Sequence, residues 1–294
     1  MKKNEKISRR QAIQSLAAIT AGAFIRPVSM FGAEPVQNRI RFAVIGDWGT
    51  GNDDADAVAG QMLNSHRRTP FDYVIAAGDN IYPNGNGRYF TEHFERPFAQ
   101  LLSDRVNFYT VLGNHDVEQG RHDQCHYPLF NMGGRNYYTL KQGGGLVELF
   151  MLDSTDFDAP QAAWLERALS ASVSRWKIAV IHHPLYSSGK KHGSDLRLRK
   201  QLEPLLTKYK VNAVFSGHDH IYERTRPQRG IQYFVTGAGG KTRRGGVDLA
   251  SPIRAVSYDD DNHFMLIEVN AQRISFQAIS EVGRVVDSGI INPT

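Results

Sequence analysis

The chain has 294 residues, 41% of them hydrophobic and 22% charged, a balance that excludes a disordered or fibrous protein and suits one large α/β domain. Its single cysteine, Cys125, excludes an intrachain disulfide and any thiolate-rich zinc or iron–sulfur site. The formal charge of +5 lies wholly in residues 1–33, where Lys2, Lys3, Lys6, Arg9, Arg10 and Arg26 face only Glu5, so it gives no reason to expect a nucleic-acid partner.

That basic start leads into a run over residues 12–25 rich in Ala, Ile and Leu, and then Pro27, which is the layout of an export signal. The run is too short and too weakly apolar to predict stable membrane insertion. Ser8-Arg9-Arg10 is similar to the twin-arginine signal, with Ala12-Ile13 where Phe-Leu usually follows. Residues 1–33 are therefore expected to engage the export machinery and to be cleaved near Ala33. Residues 34–294 are expected to form a single domain, periplasmic or secreted. The competing reading is a basic amphipathic helix that stays attached, which Gln11 and Gln14 keep open.

Further along, short apolar runs predict strands at residues 41–45, 73–77, 108–112, 147–152, 178–181 and 213–215. Helical periodicity over residues 55–63, 162–169 and 196–209 alternates with several of them, the βαβ order of a layered α/β fold. Gly143-Gly144-Gly145, between runs at 137–140 and 147–152, predicts a hairpin. Three more strands are expected at residues 233–236, 264–269 and 274–279. The expectation is two packed mixed sheets flanked by helices.

The residues directly after these runs carry the chemistry. Ile45 leads to Gly46-Asp47, Ala77 to Gly78-Asp79-Asn80, and Leu112 to Gly113-Asn114-His115-Asp116. Ile181 leads to His182-His183, and Phe215 to Ser216-Gly217-His218-Asp219-His220. One such ending usually makes only a turn or a helix cap. Five of them bring oxygen and nitrogen donors to the carboxyl ends of strands, where ligands gather in α/β sheets. The donor set suits Fe, Mn or Zn, and a carboxylate such as Asp79 can bridge two ions.

These motifs, in this order over residues 40–280, resemble the metallophosphoesterase superfamily and, within it, the purple acid phosphatases of the tartrate-resistant type. The distinguishing residue is Tyr82, three positions after Asp79, where that family has a tyrosinate ligand to iron(III). The resemblance implies a four-layer α/β/β/α sandwich and two metal sites. Asp47, Tyr82 and His220 would hold Fe(III), and Asn114, His182 and His218 would hold Fe(II), Zn(II) or Mn(II), with Asp79 shared. It implies a phosphatase acting on phosphate monoesters by direct attack of a metal-activated hydroxide on phosphorus, with no protein nucleophile. His115 would contact the substrate phosphate, with a carboxylate such as Asp116 as its partner, and His192 would protonate the leaving oxygen. Phosphorylated small molecules or phosphoproteins are the implied substrates. A phosphodiesterase or nucleotidase on the same scaffold, or a redox-active di-iron protein, are the alternatives.

The other histidines, His66, His93, His122, His126 and His263, read as surface or core residues, and His183 as one that shapes the pocket. Asp259-Asp260-Asp261 reads as a solvated turn rather than a calcium site. Cys125 has no activating neighbour pattern and is not expected to be a nucleophile.

Overall fold

Strands whose successive side chains are all apolar need cover on both faces, and most of the runs in this chain are of that kind. The computed structural model describes residues 39–293, which fall in one compact unit, Val36–Thr294. The export-signal reading of residues 1–33 and the cleavage point near Ala33 lie outside the described residues. The strands are β1 (Arg39–Ile45), β2 (Tyr73–Ala76), β3 (Asn107–Thr110), β4 (Tyr138–Gln142), β5 (Val147–Met151), β6 (Trp176–Val180) and β7 (Ala213–Ser216). They continue with β8 (Tyr222–Thr225), β9 (Gln232–Thr236), β10 (Arg254–Tyr258), β11 (His263–Asn270), β12 (Ile274–Ser280) and β13 (Val285–Ile291).

They form two mixed sheets, ordered β13-β12-β11-β1-β2-β3 and β10-β8-β9-β7-β6-β5-β4. In the first, β1, β2 and β3 run parallel, and β11 pairs antiparallel with β1. In the second, β5, β6, β7 and β9 run parallel. The expected hairpin is present as β4 and β5, which pair antiparallel with Gln142 opposite Val147.

Three longer helices cover the outer faces. Helix α1 (Asp53–Arg68) begins with the Asn52 side chain accepting from the Ala55 N–H, has acids in its first turn and bases in its last, and so complements its dipole. It buries Ala55, Val58, Ala59 and Met62 on one face, and the last three join the core of the first sheet. Helix α2 (Ala159–Ala171) is capped by Asp158, and helix α3 (Leu196–Lys208) by Asp195. Leu165, Leu169, Leu198, Leu202 and Leu206 pack with Phe150, Leu152, Ala179 and Ile181 on the outer face of the second sheet. On the same strands Leu149, Met151, Ile178 and Val180 turn inward to the core shared with the first sheet. That period-two split gives the order α1, sheet, sheet, α2 with α3, the expected four-layer sandwich. No helix among the described residues is long and apolar enough to cross a membrane.

Candidate metal centre

The five donor-bearing turns follow β1, β2, β3, β6 and β7, parallel strands of the two sheets. An aromatic cluster anchors the first turn. Trp48, next to Asp47, is fully buried and meets Phe94 and Phe98 edge-on at 5.4 and 5.2 Å. Its indole Nε1–H donates to Asn80 Oδ1 at 3.3 Å, and Asn80 Nδ2 donates in turn to the Val111 carbonyl at 2.8 Å. The turns after β1, β2 and β3 are thereby tied together beneath the site.

Asp116 belongs to this brace. Its buried carboxylate accepts the backbone N–H groups of Gly113, Asn80 and Ile81 and the Gln124 side-chain amide. It is therefore not the partner of His115 that the sequence suggested, because its oxygens are already occupied below the site. His115 Nδ1 instead lies 2.6 Å from the Pro83 carbonyl and 3.6 Å from Glu118.

Above the brace the donors meet in two groups. The Tyr82 hydroxyl donates to Asp79 Oδ2 at 2.8 Å and lies 3.3 Å from both Asp47 Oδ1 and His220 Nε2. On the other side His182 Nε2 lies 3.1 Å from Asn114 Oδ1 and 3.5 Å from Asp79 Oδ1, with the His218 ring 5.1 Å from the His182 ring. Asp79 stands between them with one oxygen toward each. All seven sequence-predicted donors are thus brought together, and Asp47, Asp79 and His182 by themselves form a group able to hold a metal ion.

The backbone is strained here. Asp47, Asp79 and His218 sit at φ of 56°, 49° and 72°, a left-handed region that side-chain-bearing residues seldom occupy outside functional sites. Glycine makes the close approach feasible: a Cβ on Gly113 would stand 2.2 Å from Asp79 Oδ1.

The electrostatics call for cations. Burial, and then the charge of Asp79, pushes the Asp47 carboxyl well above the usual carboxylate range. Burial likewise raises the Tyr82 phenol, and Asp47 and Asp79 raise it further. The imidazoles go the other way, with burial pulling His218 down to about 2 and His220 to about 4. Both stay neutral in mild acid and keep a lone pair for a metal ion without first having to lose a proton. His182 donates Nδ1–H to the Ala77 carbonyl at 2.9 Å, which leaves Nε2 bare on the side of Asn114 and Asp79. Two buried carboxylates, a phenol, an amide oxygen and three neutral imidazoles, with hard and intermediate donors only, fit a pair of first-row metal ions.

His115 and His192 flank this centre. The His115 ring packs 4.6 Å from Tyr82, and its backbone N–H donates to Asp79 Oδ1 at 3.0 Å. The exposed His192 ring lies 4.0 Å from His218. A residue missed in the sequence reading holds it there: the buried Asp219 carboxylate accepts the backbone N–H groups of His192 and Gly193, at 3.2 and 3.0 Å, and the Ser187 hydroxyl at 2.6 Å. Its only sequence signal was its place between two candidate ligands.

Of the other histidines, His183 lies beside the centre with its ring 4.6 Å from that of His218, whereas His263 is buried with Nε2 3.1 Å from the Thr236 hydroxyl. Cys125 is also buried, and its thiol is pushed up to about 11, so it is no nucleophile.

A two-sheet sandwich that gathers two donor groups about a shared carboxylate at its strand ends defines a dinuclear metallophosphoesterase. The calcineurin-like phosphoesterase family model matches residues 40–222. The chain is 32% identical over 279 residues to purple acid phosphatase 17 of Arabidopsis thaliana, covering 82% of this chain and 79% of that protein. It is 30% identical over 260 residues to human tartrate-resistant acid phosphatase type 5, covering 76% of this chain and 79% of the human protein. Among solved structures it is similar to GAP50, the anchor in the inner membrane complex of Plasmodium, with a TM-score of 0.76 and 20% identity over 87% of this chain and 89% of the other, a likeness of fold alone. The chain belongs to the purple acid phosphatase family of calcineurin-like phosphoesterases, and it hydrolyses phosphate monoesters at a dinuclear metal centre.

Proposed function

We propose that Asp47, Tyr82 and His220 hold iron(III), that Asn114, His182 and His218 hold Fe(II), Zn(II) or Mn(II), and that Asp79 bridges the two ions. The observation that carries this is the position of Asp79, 2.8 Å from the Tyr82 hydroxyl through one oxygen and 3.5 Å from His182 Nε2 through the other. Once bound, the metal pair supplies charge neutralisation of the phosphate and an activated water.

The rest is done by the chain. Pro83 fixes the Nδ1 side of His115 and leaves Nε2 to approach a phosphate oxygen. His192, held by Asp219, gives a proton to the departing alkoxide. Asp116 and Asn80 keep the ligand turns in place and take no part in proton transfer.

Tyr82→Phe tests the metal assignment. Because the surroundings push the phenol far up, only a hard trivalent cation would hold it as phenolate. The iron-loaded wild type is expected to show a broad visible absorption that Tyr82→Phe loses while keeping its metal. A wild type fully loaded with zinc or manganese at both sites and showing no such band would sink the iron(III) assignment.

We also propose that residues 1–33 direct twin-arginine export and that the domain of residues 34–294 works in the periplasm or outside the cell on phosphorylated small molecules or phosphoproteins. The order of charge, apolar run and Pro27 supports this. Mass spectrometry of the exported protein should find a new N-terminus near Ala33; an intact Met1 in that fraction would count against cleavage.

A further inference from the structure

His182 and His183, adjacent at the end of β6, are held in opposite tautomers. Ser154 Oγ accepts the backbone N–H groups of His182 and His183, at 3.1 and 3.0 Å, and also lies 3.0 Å from His183 Nδ1. A hydroxyl has two lone pairs and one proton. The two N–H groups take the lone pairs, so the proton goes to His183 Nδ1, and the ring keeps its own proton on Nε2. His182 is arranged the other way, with Nδ1–H on the Ala77 carbonyl and Nε2 bare. A bare nitrogen binds a cation, whereas an N–H can only donate. His182, His183 and His218 each have a nitrogen within 4.8 Å of the others, a grouping that could itself take a cation, so His183 stands beside the metal centre, where the Ser154 contact sets it as a hydrogen-bond donor.

His183 also lines a cavity of about 300 Å³ bounded by the short turn after β5 and the first turns of α3. Side chains able to donate there are those of Arg197, Gln201 and His183, and the acceptors are Asp156 and the Asp195 oxygen left over from capping Leu198 N–H. Apolar contact comes from Phe157 and Leu198. The volume is at the low end of ligand pockets, roughly 300–1,000 Å³, and has room for one small group.

We propose that this cavity receives the alcohol portion of the substrate, that it selects phosphate esters of small polyhydroxylated alcohols of the monosaccharide class, and that His183 Nε2–H donates to that alcohol at the cavity's inner end. Hydroxyl groups both donate and accept, which matches this mixed lining. An aryl group without hydroxyls would displace water from Asp156 and Asp195 without replacing its hydrogen bonds. A second anionic group would meet two carboxylates against the single guanidinium of Arg197.

The proposal rests on the phosphatase reading and is tested on the full chain loaded with metal. The measurement is the ratio of kcat/KM for a hexose monophosphate to that for 4-nitrophenyl phosphate. Asp156→Ala and Gln201→Ala, both at exposed positions, are each expected to lower this ratio about tenfold, the size of one lost hydrogen bond. His183→Phe should lower it similarly, and His183→Gln, which keeps an N–H donor, should restore most of it. Ratios within about twofold of wild type in Asp156→Ala and Gln201→Ala, or no difference between the two His183 variants, would overturn the proposal. A metal-loaded wild type that turned over neither ester would be a failure of the phosphatase reading itself, and the proposal would go with it.

Discussion

Asp79→Asn is expected to leave a folded protein that has lost both metals and at least about 10³-fold of its activity, because the charge it removes is shared by two sites. Asparagine is the informative replacement. It is isosteric with aspartate and tolerates left-handed backbone better than most residues, so the φ of 49° at this position is kept. The Tyr82 hydroxyl and the His115 N–H can still find the amide oxygen, one at a time. What disappears is the negative charge.

The same substitution should act on stability with the opposite sign. In the metal-free protein the Asp79 charge is among the causes that raise the Asp47 carboxyl, so removing it relieves a like-charge repulsion in a buried site. Metal-free Asp79→Asn is therefore expected to melt at or above the metal-free wild type, while its metal content falls toward zero. Such a trade of stability for function is usual where a site is built for a ligand. Full occupancy by elemental analysis with activity within tenfold of wild type would show that Asp79 is not the bridge.

The site was more legible in the sequence than the sheets that carry it. Asp47, Asp79, Asn114, His182 and the His218–His220 pair each follow an apolar run at once, because a parallel strand delivers its ligand from its carboxyl end. The run itself is a strand-length signal, and the glycine beside it marks the turn. Strands β8, β10 and β13 gave no such signal. Tyr222-Glu223-Arg224-Thr225 looks too charged for a strand until Arg224 and the Tyr222 hydroxyl are seen to reach Asp287 of β13, each at 2.7 Å. The charges of one strand are answered by another more than sixty residues away. Strand β13 lies at a sheet edge with Val285 and Ile290 half exposed, which blurs its alternation.

A different reason hides the polar residues beneath the metal donors. Asn80, Asp116, Gln124 and Ser154 are buried and bonded to backbone groups of other turns. In sequence Asn80, Asp116 and Ser154 have the identity of ordinary turn or cap residues, and Gln124 that of a solvated polar residue. Nothing local separates a carboxylate that caps only its own turn from one that also accepts N–H groups from another. Asp116 was accordingly expected beside His115 and is found under it.

His192→Ala should slow hydrolysis of an alkyl phosphate about 10²-fold and hydrolysis of 4-nitrophenyl phosphate far less, since nitrophenolate departs without needing a proton. Asp219→Asn should reproduce that pattern at smaller size, because an amide cannot accept the Ser187 hydroxyl and both loop N–H groups as the carboxylate does. A merely structural role for Asp219 predicts something else: loss of metal and an equal slowing of both esters, given that His218 and His220 adjoin it. The double variant separates the two. If Asp219 acts through His192, adding Asp219→Asn to His192→Ala costs nothing further on the alkyl ester, whereas independent contributions would multiply. Gly189 completes the arrangement: a Cβ there would stand 2.3 Å from the Asp219 carboxyl carbon, so the loop can lie flat on this carboxylate only because that position is glycine.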